Sequence, residues 1–380
     1  MNLLLPDGLF LPTPRQRLLL TAALFQGEKS LAAWQEWRKP GLDDIDWGSF
    51  RLLPQLYRNL QAQQVDDPFL PKLRGIYRRF WYENQVRFRA SEPLLLAFRQ
   101  AGIEIMLIKG AALIPLYYRD SGARPMNDID IVVPESRLAE AMDVMKQQSF
   151  STETWTPQPV SESFRRFRHA LSYENSKGLK VDLHWHALYL ACFAQADEVF
   201  WRDSVSMEFQ GVPARALNAT DQLLHTCVHG ALGNEPGGAV RWIADAVIIL
   251  NSSPQVDWKR IPHLASRLGI GLPLRDALRH LKDQYEAGVP ADVLENLERQ
   301  PVSRSEQLFM ERIRLRSTKV QRPLDTFRAL YFRHSGSYRD RSAVARVAAF
   351  PLFLQYHWNL PSARQLVPRT CRWALFRLKI

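Results

Sequence analysis

The sequence predicts an α+β fold, a small mixed β-sheet set between helical N-terminal and C-terminal regions. Three observations predict it. Residues 13–100 carry apolar side chains at helical spacing, with Pro14 placed to open the first helix. Residues 102–186 alternate short apolar runs of strand length with helix-like stretches. From residue 218 onward the helical spacing returns. At 380 residues the chain can bury several cores, and it divides into a helical module (1–100), an α+β core (101–215), a helical domain (216–300) and a basic helical segment (301–380).

In chain order, Leu18 to Leu24 supply the apolar side of the first helix, and Lys39-Pro-Gly41 ends a second that holds Trp34 and Trp37. Leu52 to Leu60 and the long arginine-rich run Leu73 to Phe98 complete the helical module. Arg78, Arg79, Arg87 and Arg89 read as a solvated helix face, because their spacing shows no stripe with aromatic platforms for nucleic acid. Strands follow at Glu104–Ile108 and Ile129–Val133, then a helix over Ser136–Gln148. A hairpin pairs Leu171–Glu174 with Lys180–Trp185 through the turn Asn175-Ser-Lys-Gly178. Asn218 or Thr220 caps the next helix, which the loop Gly233–Gly238 breaks; further helices cover 240–250, 257–268 and 274–285, and the apolar run 344–360, interrupted by Pro351, is too short to cross a membrane.

The composition is that of a soluble globular chain, 46% hydrophobic and 23% charged. Net charge is +11, but 16 Lys+Arg against 4 Asp+Glu fall after residue 300, so that segment carries +12 and the preceding 300 residues −1. An anionic partner, if there is one, belongs at the C-terminal segment. Only Cys192, Cys227 and Cys371 are present, which excludes a disulfide framework and fits a cytoplasmic setting. Residues 1–11 lack the basic start of a secretory signal, and no apolar run reaches the roughly 20 residues of a membrane span.

The chemistry concentrates between Ile105 and Val133. An apolar strand ends at Lys109; Gly110 and Ala111 begin a helix-like turn; Arg124-Pro-Met-Asn-Asp128-Ile-Asp130 enters the next strand. Asp128 and Asp130, at i and i+2 on a strand, share a face and can hold Mg²⁺ or Mn²⁺ between them. A glycine turn opening a helix offers free N–H groups to phosphate. In Val181-Asp182-Leu-His184-Trp-His186, alternation sends Asp182, His184 and His186 to one face, so a strand neighbouring the first aspartates would bring three carboxylates together. Such a set suits nucleotidyl or phosphoryl transfer. The tripeptide alone says little, since Asp44-Ile45-Asp46 repeats it in a context that reads as a loop entering a helix. His225 and His229, spaced i and i+4 without an intervening glutamate, read as core or capping residues.

Beyond these residues, the chain resembles the bacterial uncharacterised nucleotidyltransferase family of the polymerase-β-like nucleotidyltransferase superfamily. The resemblance rests on Leu107-Ile-Lys-Gly-Ala-Ala-Leu113, Tyr117-Tyr118, Arg124-Pro-Met-Asn-Asp-Ile-Asp-Ile-Val-Val133 and Val181-Asp-Leu-His-Trp185. Leu52-Leu-Pro-Gln-Leu-Tyr57, Trp81, Asp221 to His229 and Arg241-Trp-Ile-Ala-Asp245 also fit, and together they span roughly residues 15–250. It implies a nucleotidyltransferase core with Asp128, Asp130 and Asp182 as catalytic metal ligands. An NTP, with ATP the expected donor, would bind through Lys109, Gly110, Ala111 and Arg124, with His184 and His186 behind the ligands or at the substrate. The superfamily usually places Gly-Ser at the turn; here Gly110-Ala111 lacks the hydroxyl, and Lys109 stands where it could contact phosphate instead. The implied activity is Mg²⁺-dependent transfer of an NMP group to a hydroxyl on a small molecule, sugar, protein or RNA. The alternative is a degenerate binding module without turnover, or phosphate release at the same metals.

Overall fold

The computed structural model describes residues 11–42, 45–154, 156, 160–232, 240–252, 256–314, 323–360 and 362–368. The expected loop 233–238 and the last twelve residues lie outside that set. The α+β expectation holds, and the sheet has seven strands: β1 (Met106–Ile108), β2 (Ile129–Val132), β3 (Phe150–Ser151), β4 (Ala170–Asn175), β5 (Lys180–His184), β6 (Val205–Phe209) and β7 (Val212–Ala216). Their spatial order is β3-β4-β5-β2-β1-β7-β6. The β2–β5 and β1–β7 pairs are parallel and the others antiparallel, so the sheet is mixed as expected.

The N-terminal helices form where their signals predicted. Thr13 caps helix Pro14–Leu24 in a reciprocal capping box with Gln16. Trp34 and Trp37 of helix Gly27–Trp37 are fully buried and stacked. Asp46 of the duplicate Asp-Ile-Asp caps the short helix Trp47–Phe50, which is the loop-to-helix role its context suggested. Helix Leu70–Gln100 is the longest and lies beside the loop that leads into β2: Asn84 Nδ2 donates to the carbonyls of Ser121 and Arg124.

The outlying hairpin β6–β7 was not read from the sequence. Its turn, Gln210-Gly211, has positive φ at both residues, the geometry that matches strand twist in a two-residue hairpin. Pro213 masked the β7 strand in the sequence. It is tolerated because β1 pairs only with Arg215 and Ala216, leaving the Pro213 end of β7 with one neighbour.

Alternation divides β2 between two cores. Ile129, Ile131 and Val133 pack with Leu107, Val181 and Leu183 on one face of the sheet. Val132, with Met106 and Ile108, joins the other core, which includes Leu223, Leu224 and Val228 of helix Ala219–Ala231. Asp130 shares the Val132 face and therefore looks toward that helix. Among the described residues no helix is long and apolar enough to cross a membrane.

Candidate metal and nucleotide site

Strand register brings Asp130 and Asp182 together, whereas Asp128 stands one residue before β2 and is not part of the cluster they form with His184. In the parallel β2–β5 pair, Asp130 stands directly opposite Asp182, and in the antiparallel β1–β2 pair it stands opposite Ile108. Lys109 follows Ile108 and takes a left-handed φ of 50°. This turns the chain out of β1 into the short helix Lys109–Leu113. The same turn lets the side chain fold back: Lys109 Nζ donates to Asp130 Oδ1 at 2.5 Å. A non-glycine residue with this φ is uncommon and costs on the order of 1 kcal/mol.

Asp130, Asp182 and His184 each offer one donor atom, and those atoms lie within 4.8 Å of one another. Asp130 is 2% exposed, while Asp182 is partly open. His184 Nε2 lies 3.1 Å from Asp130 Oδ1. Burial would raise the Asp130 carboxyl, but the Lys109 ammonium and His184 outweigh it and hold it well below the usual carboxylate range. Asp128 goes the other way: burial first, then the neighbouring Asp130 charge, push it up to about 6. Burial pulls the Lys109 ammonium down, yet Asp130, Asp128 and Asp182 together hold it above an ordinary lysine.

The donor set fits a divalent ion. Two carboxylates at facing positions supply hard oxygen ligands, and Asp128 carries a carboxyl that a nearby positive charge would ionise. Lys109 already meets part of the demand for positive charge at Asp130. The imidazole of His184 suits Mn²⁺ as well as Mg²⁺.

Gly110 is required here by close approach, not by its dihedral angles. A Cβ at Gly110 would sit 2.8 Å from Arg124 Nη1 and 2.9 Å from Met126 Sδ. Arg124 itself is 4% exposed and forms a bidentate pair with Asp245, Nε to Oδ1 at 2.7 Å and Nη2 to Oδ2 at 2.8 Å. Tyr118 Oη donates to the same Oδ1 at 2.7 Å. Arg124 makes no ion pair with Asp128, four residues further along the chain. Two of the three guanidinium nitrogens are committed to helix Arg241–Ser252, and the third lies against the turn.

His186 departs from the expected face. Strand β5 ends at His184, so alternation no longer governs the next residues. His186 Nδ1 instead meets Asp197 Oδ2 at 2.7 Å, and the backbone N–H of Ala187 donates to Asp197 Oδ1 at 2.8 Å. The metal-competent cluster therefore contains His184 and not His186.

Three histidines that the sequence did not assign to the site approach it. The His169 ring lies 5.4 Å from that of His184, and His225 and His229 stack at 5.9 Å. Burial, then the Lys109 and His184 charges, pull His225 down to about 3, so it is neutral near pH 7. His229 opens to solvent. The i, i+4 spacing on an otherwise apolar helix was the available signal; what the sequence lacked was which helix face meets the sheet.

The family model for uncharacterised nucleotidyltransferases matches residues 49–286. The chain belongs to that family. The match begins later and runs further than the 15–250 span of the motifs, taking in helix Gly271–Tyr285. Among solved structures, the chain is similar to one described as an antigenic nucleotidyltransferase-like protein from Paracoccidioides brasiliensis. Identity is 14%, the TM-score is 0.36, and the match covers 57% of this chain and 94% of that one. No curated protein matches the chain.

Proposed function

We propose that this nucleotidyltransferase-family chain transfers an NMP group from an NTP to a hydroxyl-bearing acceptor with a divalent ion, Mg²⁺ or Mn²⁺, held by Asp128, Asp130 and Asp182. The observation that carries the reading is the Asp130–Asp182 register, with His184 completing a donor set within 4.8 Å. When bound, the ion would neutralise phosphate charge and lower the pKa of the attacking hydroxyl.

The protein's own groups do the rest. Lys109 and the Gly110–Ala111 turn receive the triphosphate beside the carboxylates. Asp182, the more open of the facing pair, accepts the acceptor's proton as its oxygen attacks the α-phosphorus. A new P–O bond forms, the bond to the bridging oxygen breaks, and pyrophosphate leaves. His184, hydrogen-bonded to Asp130, orients that carboxylate. Arg124 braces the turn through its Nη1 instead of meeting solvent. The free, buried thiols of Cys192 and Cys227 support a reducing, cytoplasmic setting.

The test is incubation with each α-labelled NTP, ATP first, in Mg²⁺ or Mn²⁺ and cell extract. Label should pass to an acceptor, and Asp130→Asn should abolish transfer. A second reading is nucleotide binding without turnover. It draws on Ala111, which lacks a hydroxyl, and on the Lys109–Asp130 pair, which closes the site on itself. NTP binding with no transfer to any acceptor would select it.

A further inference from the structure

A second, separate site lies between helix Leu53–Ala62 and helix Leu70–Gln100. Tyr57, Arg58, Gln61, Arg74, Tyr77 and Arg78 line a cavity of about 520 Å³, with Asp120 as its only carboxylate. Arg74 and Arg78 are one turn apart on one helix face. Both are exposed and have no hydrogen-bond or ion-pair partner among the described residues. Two unpaired like charges at this spacing repel each other, and an anion between them would relieve that repulsion.

Asp120 does not supply that anion. Its carboxylate is already taken by Arg58 at 2.8 Å, by the Tyr77 hydroxyl at 2.8 Å and by the N–H of Gly122 at 2.8 Å. Burial and this carboxylate push the Tyr77 phenol up to about 12, so it stays a donor. Arg58 also reaches the Tyr118 carbonyl through Nη1 at 3.3 Å, which leaves its Nη2 open toward the cavity, with the side chain 39% exposed. The cavity therefore keeps a net positive charge of two. Tyr57 and Tyr77, with ring centroids 5.2 Å apart, form an aromatic wall beside it.

We propose that this cavity binds a small phosphate monoester, with its dianionic group held by Arg58, Arg74 and Arg78 and its organic part against Tyr57 and Tyr77. Three guanidiniums suit a doubly charged phosphate, whose oxygens accept from several forks at once, better than a carboxylate. A long polyanion fits less well, because the first 300 residues carry a net charge of −1. The bound group would sit next to Asp120, in the segment that continues through Gly122 and Arg124 to Asp128. The site does not depend on the proposed nucleotidyl transfer.

The experiment is isothermal titration with phenyl phosphate and, separately, with inorganic phosphate. Three proteins are compared: the wild type, Arg74→Glu/Arg78→Glu and Lys109→Ala. Circular dichroism checks that each variant is folded before titration, Lys109→Ala included because it leaves Asp130 without its cation; both arginines are exposed, and Arg74→Gln/Arg78→Gln removes their charge without reversing it. Phenyl phosphate should bind the wild type and Lys109→Ala alike, and bind either arginine double variant at least ~10-fold more weakly. Absence of binding at millimolar concentration, or weakening by Lys109→Ala but not by the arginine variants, overturns the site. Equal affinity for phenyl phosphate and inorganic phosphate overturns its assignment to an organic ester.

Discussion

Lys109 Nζ and Asp130 Oδ1 stand 2.5 Å apart across the β1–β2 strand pair, and the pair is almost wholly enclosed, with side-chain exposures of 19% and 2%. The backbone contributes to this contact, since Lys109 holds a positive φ that bends its side chain back over the strand it has just left. Lys109→Met would leave a buried carboxylate without its cation. Removing one partner of such a pair costs about 3–5 kcal/mol, and the partial opening of Lys109 places the expected value at the lower end. Millimolar Mg²⁺ should recover part of the loss, because a divalent ion can replace the missing charge. Urea denaturation of wild type and variant, with and without Mg²⁺, measures both effects; a loss that Mg²⁺ leaves unchanged counts against a metal at Asp130.

Asp128 gives the pH dependence. Its carboxyl is raised to about 6 by burial and by Asp130, so it carries a proton at pH 5 and is ionised at pH 7. A cation at this carboxylate must displace that proton. Below about pH 6 the apparent Mg²⁺ affinity should therefore fall by up to tenfold per pH unit, and above it should level off. The sign for stability is opposite. A carboxyl whose folded pKa lies above its unfolded value destabilises the metal-free fold as pH rises from about 4 through 6. Mg²⁺ titrations between pH 5 and 8 in Asp128→Asn should lose this slope.

How much of this was legible depends on whether the signal was local. The Asp182/His184 face and the Asn175–Gly178 turn are properties of short segments, and the structure forms both, whereas Asp128 falls one residue before β2 and does not share the strand face of Asp130. What brings the strands together is not local: the pairing of Asp130 with Asp182 joins residues 52 positions apart and had to be posed as a condition. Arg124 illustrates the limit. Its neighbour in sequence is Asp128, but its partner is Asp245, 121 residues away. His186 shows the other failure, since alternation was carried two residues past the end of strand pairing. The Gly110–Ala111 turn reads in the sequence as a phosphate site made by free N–H groups where a helix opens. In the structure the unusual φ belongs to Lys109, and Gly110 is there because a guanidinium and a thioether press against it.

That last observation makes a prediction. Gly110→Ala would place a methyl group 2.8 Å from Arg124 Nη1 and 2.9 Å from Met126 Sδ, closer than such contacts occur. Arg124 is fixed by Asp245, so the turn must move. Overpacking of this kind costs about 1–3 kcal/mol, and the displaced turn should weaken nucleotide binding as well. In a cycle with Met126→Ala, which itself costs about 2–5 kcal/mol at this buried site, the double variant should lose less than the sum of the two single changes, because the thioether clash is gone. Thermal melts of the three variants measure the difference.

The Arg124–Asp245 pair ties the sheet to helix Arg241–Ser252, and its worth can be separated from its metal-site consequences. Both side chains are about 5% exposed or less, and Tyr118 completes the carboxylate's coordination. Asp245→Asn keeps the shape but strands a guanidinium in a buried position, which should cost about 3–5 kcal/mol. Arg124→Lys should also fail, because an ammonium cannot reproduce the two parallel hydrogen bonds to Asp245 or fill the space beside Gly110. Arg124→Met/Asp245→Leu removes both charges and leaves only the Tyr118 hydroxyl without its acceptor. Urea melts of Arg124→Met, Asp245→Leu and the double then form a cycle. The double should be more stable than Asp245→Asn by about 1–3 kcal/mol, since no unpaired charge remains. Its nucleotide binding should stay impaired, because nothing then holds the Gly110 turn in place. Recovery of both stability and binding in the double variant would show that Arg124 plays no part in positioning that turn.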